Sequence, residues 1–186
     1  MLTRRALMIA GIAAAFAPQT AFAAKRKKKF VVNPIYEPQT VRFRGYPKGT
    51  IVVDPKNHFL YLVEGRRTAR RYGVGVGKAG LAFQGSADIS RKAEWPRWTP
   101  TKNMIRRDPR RYAKYAKGVP GGPKNPLGAR ALYLFKNGRD TYFRIHGTTQ
   151  PSSIGRSVSA GCIRMINEHV IDLYKRVPLG TKVVVI

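Results

Sequence analysis

The chain is 186 residues long, and its 36 Lys and Arg residues against 9 Asp and Glu residues give a formal net charge of +27. This length supports one domain with a hydrophobic core rather than two. The charge predicts attraction to polyanions, which include nucleic acid, anionic membranes and the acidic polymers of a bacterial envelope. Because Cys162 is the single cysteine, an intramolecular disulfide is excluded.

The N-terminus has the pattern of an export signal. Arg4 and Arg5 precede an apolar run, Ala6 to Ala17, that is too short for a comfortable membrane span. Ala21-Phe22-Ala23 fits a small-x-small cleavage site, so we predict a signal peptide over residues 1–23, cut after Ala23, and a periplasmic protein. The arginine pair also resembles a twin-arginine signal, which would imply folding before export. Export argues against nucleic acid as the partner.

The following stretch, residues 24–49, is basic and contains prolines, which predicts a tether or extended arm. From Thr50 the sequence changes to short runs rich in Val, Tyr and Phe, separated by turn residues. The predicted strands are Ile51 to Val53, Phe59 to Val63, Arg70 to Val76, Ala131 to Phe135, Thr141 to His146 and Lys182 to Ile186. Asn137-Gly138 is a strong signal for a tight hairpin turn.

Few helices are predicted. Asp108-Pro109 provides a cap and a first helical residue, which predicts a short helix over Pro109 to Ala116. A second helix is predicted from Asn167, because Val170, Leu173, Tyr174 and Val177 share one face before Pro178. The stretch from Gly118 to Gly128 lacks periodicity and indicates an ordered loop or lid. These elements together predict a mainly β fold.

The surroundings of Cys162 decide whether it is a nucleophile or a small buried hydrophobic residue. A thiol with an ordinary pKa near 8.5 needs a base or a cation to react at neutral pH. The candidate bases are His58, His146 and His169. His58 lies beside a turn, and His169 lies in the first turn of a predicted helix. These positions indicate structural or exposed residues. His146 ends a predicted strand and precedes Gly147, where the backbone can open into a site.

Arg144-Ile145-His146-Gly147-Thr148, followed by Ser159-Ala160-Gly161-Cys162-Ile163-Arg164, resembles the signature of the L,D-transpeptidase, or YkuD, family. The resemblance covers roughly residues 50 to 186. Further segments occur in the family's order: Ile51 to Asp54, Gly73 to Gly77, Trp95 to Pro100, Asn125 to Gly128 and Ala131 to Leu134. Without the resemblance, the Gly73 to Gly77 glycines could indicate either phosphate binding or tight strand packing. Tight packing is favoured, because the Gly-Lys-Ser/Thr ending of a phosphate-binding loop is absent. Trp95 and Trp98 are core residues or walls of the site.

The resemblance implies a β-sandwich-like fold of mixed sheets with a few short helices, and a catalytic domain over residues 50–186. By position it makes Cys162 the nucleophile, His146 the base and the Gly147 carbonyl the group that orients the imidazole. It places Gly161, Ser159 and Arg164 among the substrate-binding or oxyanion groups, with backbone N–H groups near Gly161 and Cys162 as oxyanion donors. Arg164 is suited to hold a substrate carboxylate. Ala160 departs from the pattern, since many members have histidine there.

The implied reaction is peptidoglycan cross-linking: cleavage of a tetrapeptide stem before its terminal D-alanine, a thioester on cysteine, and attack by an amine of a second stem to give a 3-3 cross-link. No metal or organic cofactor is needed. Water as acceptor would give an L,D-carboxypeptidase, and a lysine of an envelope protein would give wall anchoring. Carbapenems are expected inhibitors. A non-catalytic basic module that binds wall polymer and a peptidase acting on ordinary proteins remain alternatives.

Overall fold

A computed structural model describes residues 30–81 and 83–186, so the predicted signal peptide and its cut after Ala23 lie outside the described residues. The strands are β1 (Gln39–Arg42), β2 (Ile51–Asp54), β3 (Phe59–Val63), β4 (Thr68–Gly73), β5 (Val76–Gly77), β6 (Gly85–Glu94), β7 (Arg130–Lys136), β8 (Arg139–His146), β9 (Ser157–Ser159), β10 (Ile163–Arg164) and β11 (Lys182–Val185). The helices are α1 (Lys102–Arg107), α2 (Pro109–Tyr112) and α3 (Asn167–Arg176), with 3-10 turns at Pro34–Tyr36, Ala113–Tyr115 and Pro151–Ser153.

In the described ranges, nine strands form one mixed sheet in the order β1-β4-β3-β2-β11-β6-β7-β8-β10, while β5 pairs with β9. Most neighbours are antiparallel, but β11 runs parallel to β2, and β10 runs parallel to β8. The C-terminal strand β11 therefore lies inside the sheet, which explains why Val183 and Val185 are buried. The predicted mainly β fold of mixed sheets with short helices is confirmed.

The predicted hairpins form where their turn residues require them. Asp54 accepts hydrogen bonds from the backbone and side-chain nitrogens of Asn57 at 3.0 and 2.7 Å, which closes the β2–β3 turn. Asn137 and Gly138 have φ values of 52° and 71° between β7 and β8. Both residues take the positive φ of a type I′ turn, a conformation that few other residue pairs adopt cheaply.

Helix α3 closes one side of the core. His169, Val170 and Leu173 are its buried residues, and the helix contacts β7 and β8. Its C-terminal carbonyls are capped from β6, because Lys92 Nζ donates to the carbonyls of Tyr174 and Val177 at 2.7 and 2.6 Å. The predicted helix from Asn167 to the residue before Pro178 is therefore confirmed within one residue or two. In the residues that the structure covers, no helix is long and apolar enough to cross a membrane.

The predicted tether, residues 24–49, is in its described part fixed to the sheet. Strand β1 pairs antiparallel with β4, and Tyr36 packs so closely on Gly73 that a Cβ on that glycine would strike its ring. Phe43 stacks on Tyr61 with ring centroids 4.4 Å apart. From Pro34 onward the segment is an extended arm rather than a loose tether. Close packing is thus present at Gly73, one of the glycines for which it was predicted.

Several elements were absent from the sequence prediction, namely β1, β6, β9, β10 and α1. Strand β6 and helix α1 are the longest of them. Strand β6 is ten residues long and lies between β11 and β7, yet only Ala87 and Ile89 are buried along it. Helix α1 has no buried residue and is capped by Thr101, whose Oγ1 accepts from the Met104 nitrogen at 3.2 Å. Neither element has an apolar pattern that distinguishes it from a loop. The predicted strand from Arg70 to Val76 is divided between β4 and β5.

Candidate active site

The candidate site is built on β8 and β10, the parallel pair at one edge of the sheet. In their register Ile163 pairs with Ile145 and Arg164 with His146, and both isoleucines belong to the core. Because side chains alternate along a strand, Arg164 and His146 lie on the opposite face. Cys162, directly before β10, lines the same cleft as these two residues. The topology thus brings together the predicted nucleophile, base and anion-binding arginine.

His146 is held as a neutral base. Its ring is only 5% exposed, and Nδ1 lies 2.6 Å from the Gly147 carbonyl oxygen. A carbonyl can only accept, so Nδ1 carries the hydrogen and Nε2 keeps its lone pair. Burial lowers the pKa of His146 to about 4, although the hydrogen bond to the Gly147 carbonyl partly opposes this shift. The ring-to-carbonyl contact implied by the resemblance is present.

The Gly147 backbone is itself held by packing that the sequence did not reveal. A Cβ on Gly147 would strike Asn167 Oδ1, and a Cβ on Gly128 would strike both that oxygen and the Gly147 carbonyl carbon, 2.6 Å away. Asn167 Oδ1 accepts a hydrogen bond from the Ala129 nitrogen at 3.1 Å. The first residue of α3 therefore joins the loop before β7 to the end of β8, which fixes the carbonyl that orients His146.

Cys162 is half-buried, and its thiol faces the backbone of β8. Sγ lies 3.9 Å from the Tyr142 carbonyl oxygen, a long and weak contact. Between the described side chains of Cys162 and His146 there is no direct hydrogen bond. Burial raises the pKa of the Cys162 thiol, while the backbone and charge of Arg144 act in the opposite direction. The thiol and the imidazole are therefore both neutral at rest.

The Tyr142 carbonyl lies near the thiol because the backbone of β8 is irregular at this residue. Its φ is 62°, unusual for an aromatic residue, and the β7–β8 register shifts there. Asp140 stabilises this turn by accepting from the Tyr142 nitrogen at 2.8 Å and from both terminal nitrogens of Arg144 at 2.7 and 2.8 Å. Thr141 Oγ1 donates to the Leu134 carbonyl at 2.6 Å. The bulge directs a backbone carbonyl at the predicted nucleophile, Cys162.

Ser159 and Gly161 shape the loop that precedes the cysteine. The Ser159 hydroxyl donates to the Cys162 carbonyl at 2.6 Å and accepts from the Gly161 nitrogen at 3.1 Å. Gly161 has a φ of 132°, and a Cβ there would lie 2.6 Å from both the Leu81 carbonyl oxygen and the Phe143 ring. Both residues therefore have structural roles in this conformation. Their expected direct contacts with substrate stay predictions.

Arg164 extends into the cleft. Its Nη1 lies 3.4 Å from Gln150 Oε1, and no carboxylate pairs with it in the described residues. Burial lowers the pKa of the Arg164 guanidinium, and the nearby charge of Arg111 adds to this effect. An entering carboxylate would relieve both costs. The neighbouring Ala160 is exposed in the cleft, so no second imidazole competes with His146 at that position.

The cleft has a volume of about 1320 Å³ and lies between two walls. The sheet wall consists of Tyr142, Phe143, Arg144 and His146 with Cys162 and Arg164. The helical wall consists of residues 101–115, which include α1 and α2, and Trp98 lies against it with its ring 5.7 Å from Tyr115. The predicted ordered loop, Gly118 to Gly128, is organised by the buried Asn125, which bonds the Val119 and Pro120 carbonyls and the Leu127 nitrogen.

Other candidate residues lie outside this constellation. His58 Nε2 lies 3.0 Å from Ser157 Oγ, and buried His169 lies 3.1 Å from Glu37 Oε2. Trp98 lines the cleft, whereas Trp95 is 44% exposed at the end of β6 and fills no core position. Among residues 30–81 and 83–186, no three His, Cys, Asp or Glu side chains form a metal-binding group.

Comparison with known sequences agrees with this geometry. A family model described as the L,D-transpeptidase catalytic domain, YkuD, matches residues 48–185. The chain is 36% identical over 151 residues to a probable L,D-transpeptidase, ErfK/SrfK, of Escherichia coli strain K12, covering 80% of this chain and 46% of that protein. The chain thus spans about half the length of the curated relatives that it matches first.

Solved structures share the fold. A crystal structure from Brucella melitensis, described as a probable carnitine operon oxidoreductase, is 63% identical, with a TM-score of 0.58, over 83% of this chain and 96% of that chain. L,D-transpeptidase 3 from Mycobacterium tuberculosis, in complex with a faropenem-derived adduct, aligns at 16% identity with a TM-score of 0.54, over 73% of this chain and 59% of that chain. At such low identity the second likeness is one of fold alone.

Proposed function

Because the chain belongs to the family of L,D-transpeptidase catalytic domains, we propose that the protein is a peptidoglycan L,D-transpeptidase that works through a thioester on Cys162. The observation that carries the proposal is the fixed tautomer of His146. Its Nδ1 is bound by the Gly147 carbonyl, which leaves Nε2 as an acceptor in the cleft that Cys162 lines.

In the first half of the reaction, Sγ of Cys162 attacks the carbonyl carbon between the L-centre of the donor's diamino acid and its terminal D-alanine. The thiol proton passes to Nε2 of His146 as the sulfur–carbon bond forms. The tetrahedral intermediate then collapses, the carbon–nitrogen bond breaks, and D-alanine leaves with that proton on its amine. In the second half, an amine of another stem attacks the thioester, transfers its proton through His146 to the departing sulfur, and forms a 3-3 cross-link.

The charge states favour this coupled proton transfer over a preformed ion pair. Burial lowers the pKa of His146 to about 4 and raises the pKa of Cys162, so both groups are neutral near pH 7. The thiol contacts the Tyr142 carbonyl at rest, and no hydrogen bond joins it to His146 among the described side chains, so the contact with the imidazole has to form during the reaction. Catalytic hydrogen bonds often tighten in this way only after substrate binds.

Two further groups have roles in the proposed reaction. The Cys162 N–H has no acceptor in the described part of the chain, whereas the Gly161 N–H is engaged by Ser159. We therefore assign the Cys162 N–H to the oxyanion of the tetrahedral intermediate. Arg164 is assigned to a donor carboxylate, because its guanidinium is half-buried in the cleft without a carboxylate partner among the described residues.

The acyl acceptor and the compartment belong to the same proposal. An amine of a second stem gives a cross-link, water gives an L,D-carboxypeptidase, and a lysine of an envelope protein gives wall anchoring. The sequence of residues 1–23 supports export with a cut after Ala23, which would place the enzyme in the periplasm with its substrate.

Mass spectrometry of purified tetrapeptide muropeptides incubated with the protein tests the proposal. We expect loss of D-alanine and the appearance of 3-3 linked dimers, with both products absent for Cys162→Ala. Trimmed monomers alone would identify a carboxypeptidase. Untouched muropeptides would contradict catalysis and favour a non-catalytic basic module that binds wall polymer.

A further inference from the structure

The charged residues that line the cleft are all cationic. Lys102, Arg107, Arg111 and Lys114 come from the helical wall, Arg164 comes from the sheet wall, and no Asp or Glu of the described residues joins them. The proposed chemistry uses only Arg164 from this set. The other cations therefore have no role in the acyl transfer as described.

The carboxylates of the chain lie elsewhere. Each of the 9 Asp and Glu residues falls in the described ranges. Ion pairs with arginine engage Glu64, Glu94, Asp140 and Asp172, and Glu37 contacts His169. Of the cleft cations, only Arg144 is paired in this way, with Asp140. Asp108 belongs to the helical wall but does not line the cleft, and it accepts from the Arg111 backbone nitrogen at 3.1 Å as a helix cap. The remaining cleft cations have no carboxylate partner among the described residues.

These cations also face one another across the cleft. Arg111 of α2 and Arg164 of β10 line the same cleft from its two walls. Burial lowers the pKa of the Arg164 guanidinium, and the charge of Arg111 adds to this effect. Two like charges held across a half-buried cleft are unfavourable without an anion between them. A ligand with more than one carboxylate would relieve this repulsion and contact both walls.

We propose that the cleft binds acyl donors with free carboxylates more tightly than the same stem peptides in which these carboxylates are replaced by carboxamides. The inference rests on the proposed function. Arg164 takes one carboxylate of the donor, and Arg111 with its neighbours on the helical wall takes a second one at a residue that is not cleaved. A carboxamide has the same shape but no charge, so it forfeits the ionic part of the contact.

The test measures binding, so that it does not depend on turnover. The full chain with Cys162→Ala is titrated calorimetrically with two tetrapeptide stems that differ only at one carboxylate remote from the cleaved bond, as free acid and as carboxamide. We expect the free acid to bind about tenfold more tightly, as a hydrogen bond to a charged group would give. Equal affinity for the two stems would overturn the inference.

Charge variants distinguish a local site from the general positive charge of the protein. Arg111→Gln should reduce the preference for the free acid to about twofold or less, and Arg111→Lys should retain most of it. Lys175→Gln on the exposed face of α3 removes one charge outside the cleft and should leave the preference unchanged. An equal loss in Arg111→Gln and Lys175→Gln would contradict a cleft site. Failure of the wild type to turn over either stem would contradict the proposed function. The ratio of the affinities for the free acid and the carboxamide would still decide whether the cleft prefers free carboxylates.

Discussion

The two walls of the cleft are held in place by different means. On the sheet wall His146 is buried, Asp140 and Arg144 pair in two hydrogen bonds, and the backbone is tied on both sides of β8. On the helical wall α1 and α2 have no buried residue, and side-chain caps at Thr101 and Asp108 begin the two helices. Rigid packing thus surrounds the groups that are proposed to react, whereas charge and local hydrogen bonds shape the surface that is proposed to meet the substrate.

The comparison predicts that substitutions on the sheet wall change the rate of the chemical step. Substitutions on the helical wall should change substrate binding, and their effects should be smaller. The largest expected effect follows Cys162→Ala. The variant should lose thioester formation completely, because an alanine has no nucleophile, and it should keep its fold, because the side chain is small and half-buried. Intact-protein mass spectrometry after incubation with a carbapenem checks the adduct, and thermal unfolding checks the fold. An adduct on the variant would rule out Cys162 as the acylated residue.

His146→Ala should slow carbapenem acylation by about two to four orders of magnitude, the contribution typical of a general base. The strained lactam carbonyl stands in for the stem-peptide carbonyl, so one experiment tests the thiol and the base together. His58→Ala is the matched control, because that ring contacts Ser157 Oγ and does not line the cleft. His169→Ala should acylate normally although it loses the contact with Glu37. Equal rates in all three variants would contradict the pairing of Cys162 with His146.

Acid should destabilise the sheet wall through His146. Its pKa is about 4 in the fold and near 6.5 unfolded, so the unfolded state binds the proton first as the pH falls. Its contribution is complete above about pH 6.5 and is lost as the pH falls toward 4, a change of about 3 kcal/mol in unfolding free energy. Denaturant unfolding at stepped pH measures this slope. His146→Gln should reduce it, and an unchanged slope would assign the acid sensitivity to other groups.

The smallest effect is expected from the helical wall. Asp108→Ala removes a cap that contributes about 1 kcal/mol to local helix stability. This loss corresponds to a fall of at most about fivefold in kcat/KM. The melting temperature of the whole protein should hardly change, because α2 buries no residue. Asn33→Ala provides the control, since it removes a similar cap, 3.1 Å to the Ile35 nitrogen, on the 3-10 turn of the arm. A large fall in melting temperature for Asp108→Ala would show that the helical wall is integral to the core.

Local sequence patterns were sufficient wherever a few adjacent residues determine the backbone. Asn137-Gly138 predicts its turn because both residues tolerate positive φ, and the apolar face of α3 with Pro178 predicts that helix. Strand β6 escaped prediction because Ala87 and Ile89 are its only buried apolar residues, and the sheet on both sides supplies the rest of its stability. Helix α1 escaped prediction for a similar reason, since it presents no apolar face and is stabilised by its cap at Thr101.

At the site, the resemblance identified residue types, and the structure supplied their contacts. The bond between His146 and the Gly147 carbonyl was implied by the motif. The motif did not imply that the Gly161 N–H donates a hydrogen bond to Ser159, because this contact depends on how the loop folds back on itself. Asn167 Oδ1 reaches Ala129, 38 residues earlier in the chain, and no local pattern indicates such a contact.

The arm has a consequence for how this protein can be shortened. Strand β1 covers β4, which would otherwise present an unpaired row of backbone donors and acceptors to solvent. Strand β1 can serve as an outer edge because it is four residues long, begins directly after Pro38 and carries Arg42. A chain begun at residue 48, where the family match starts, would lose this cover, and the six-residue strand β4 would become a template for pairing between molecules. The arm thus protects the fold against self-association.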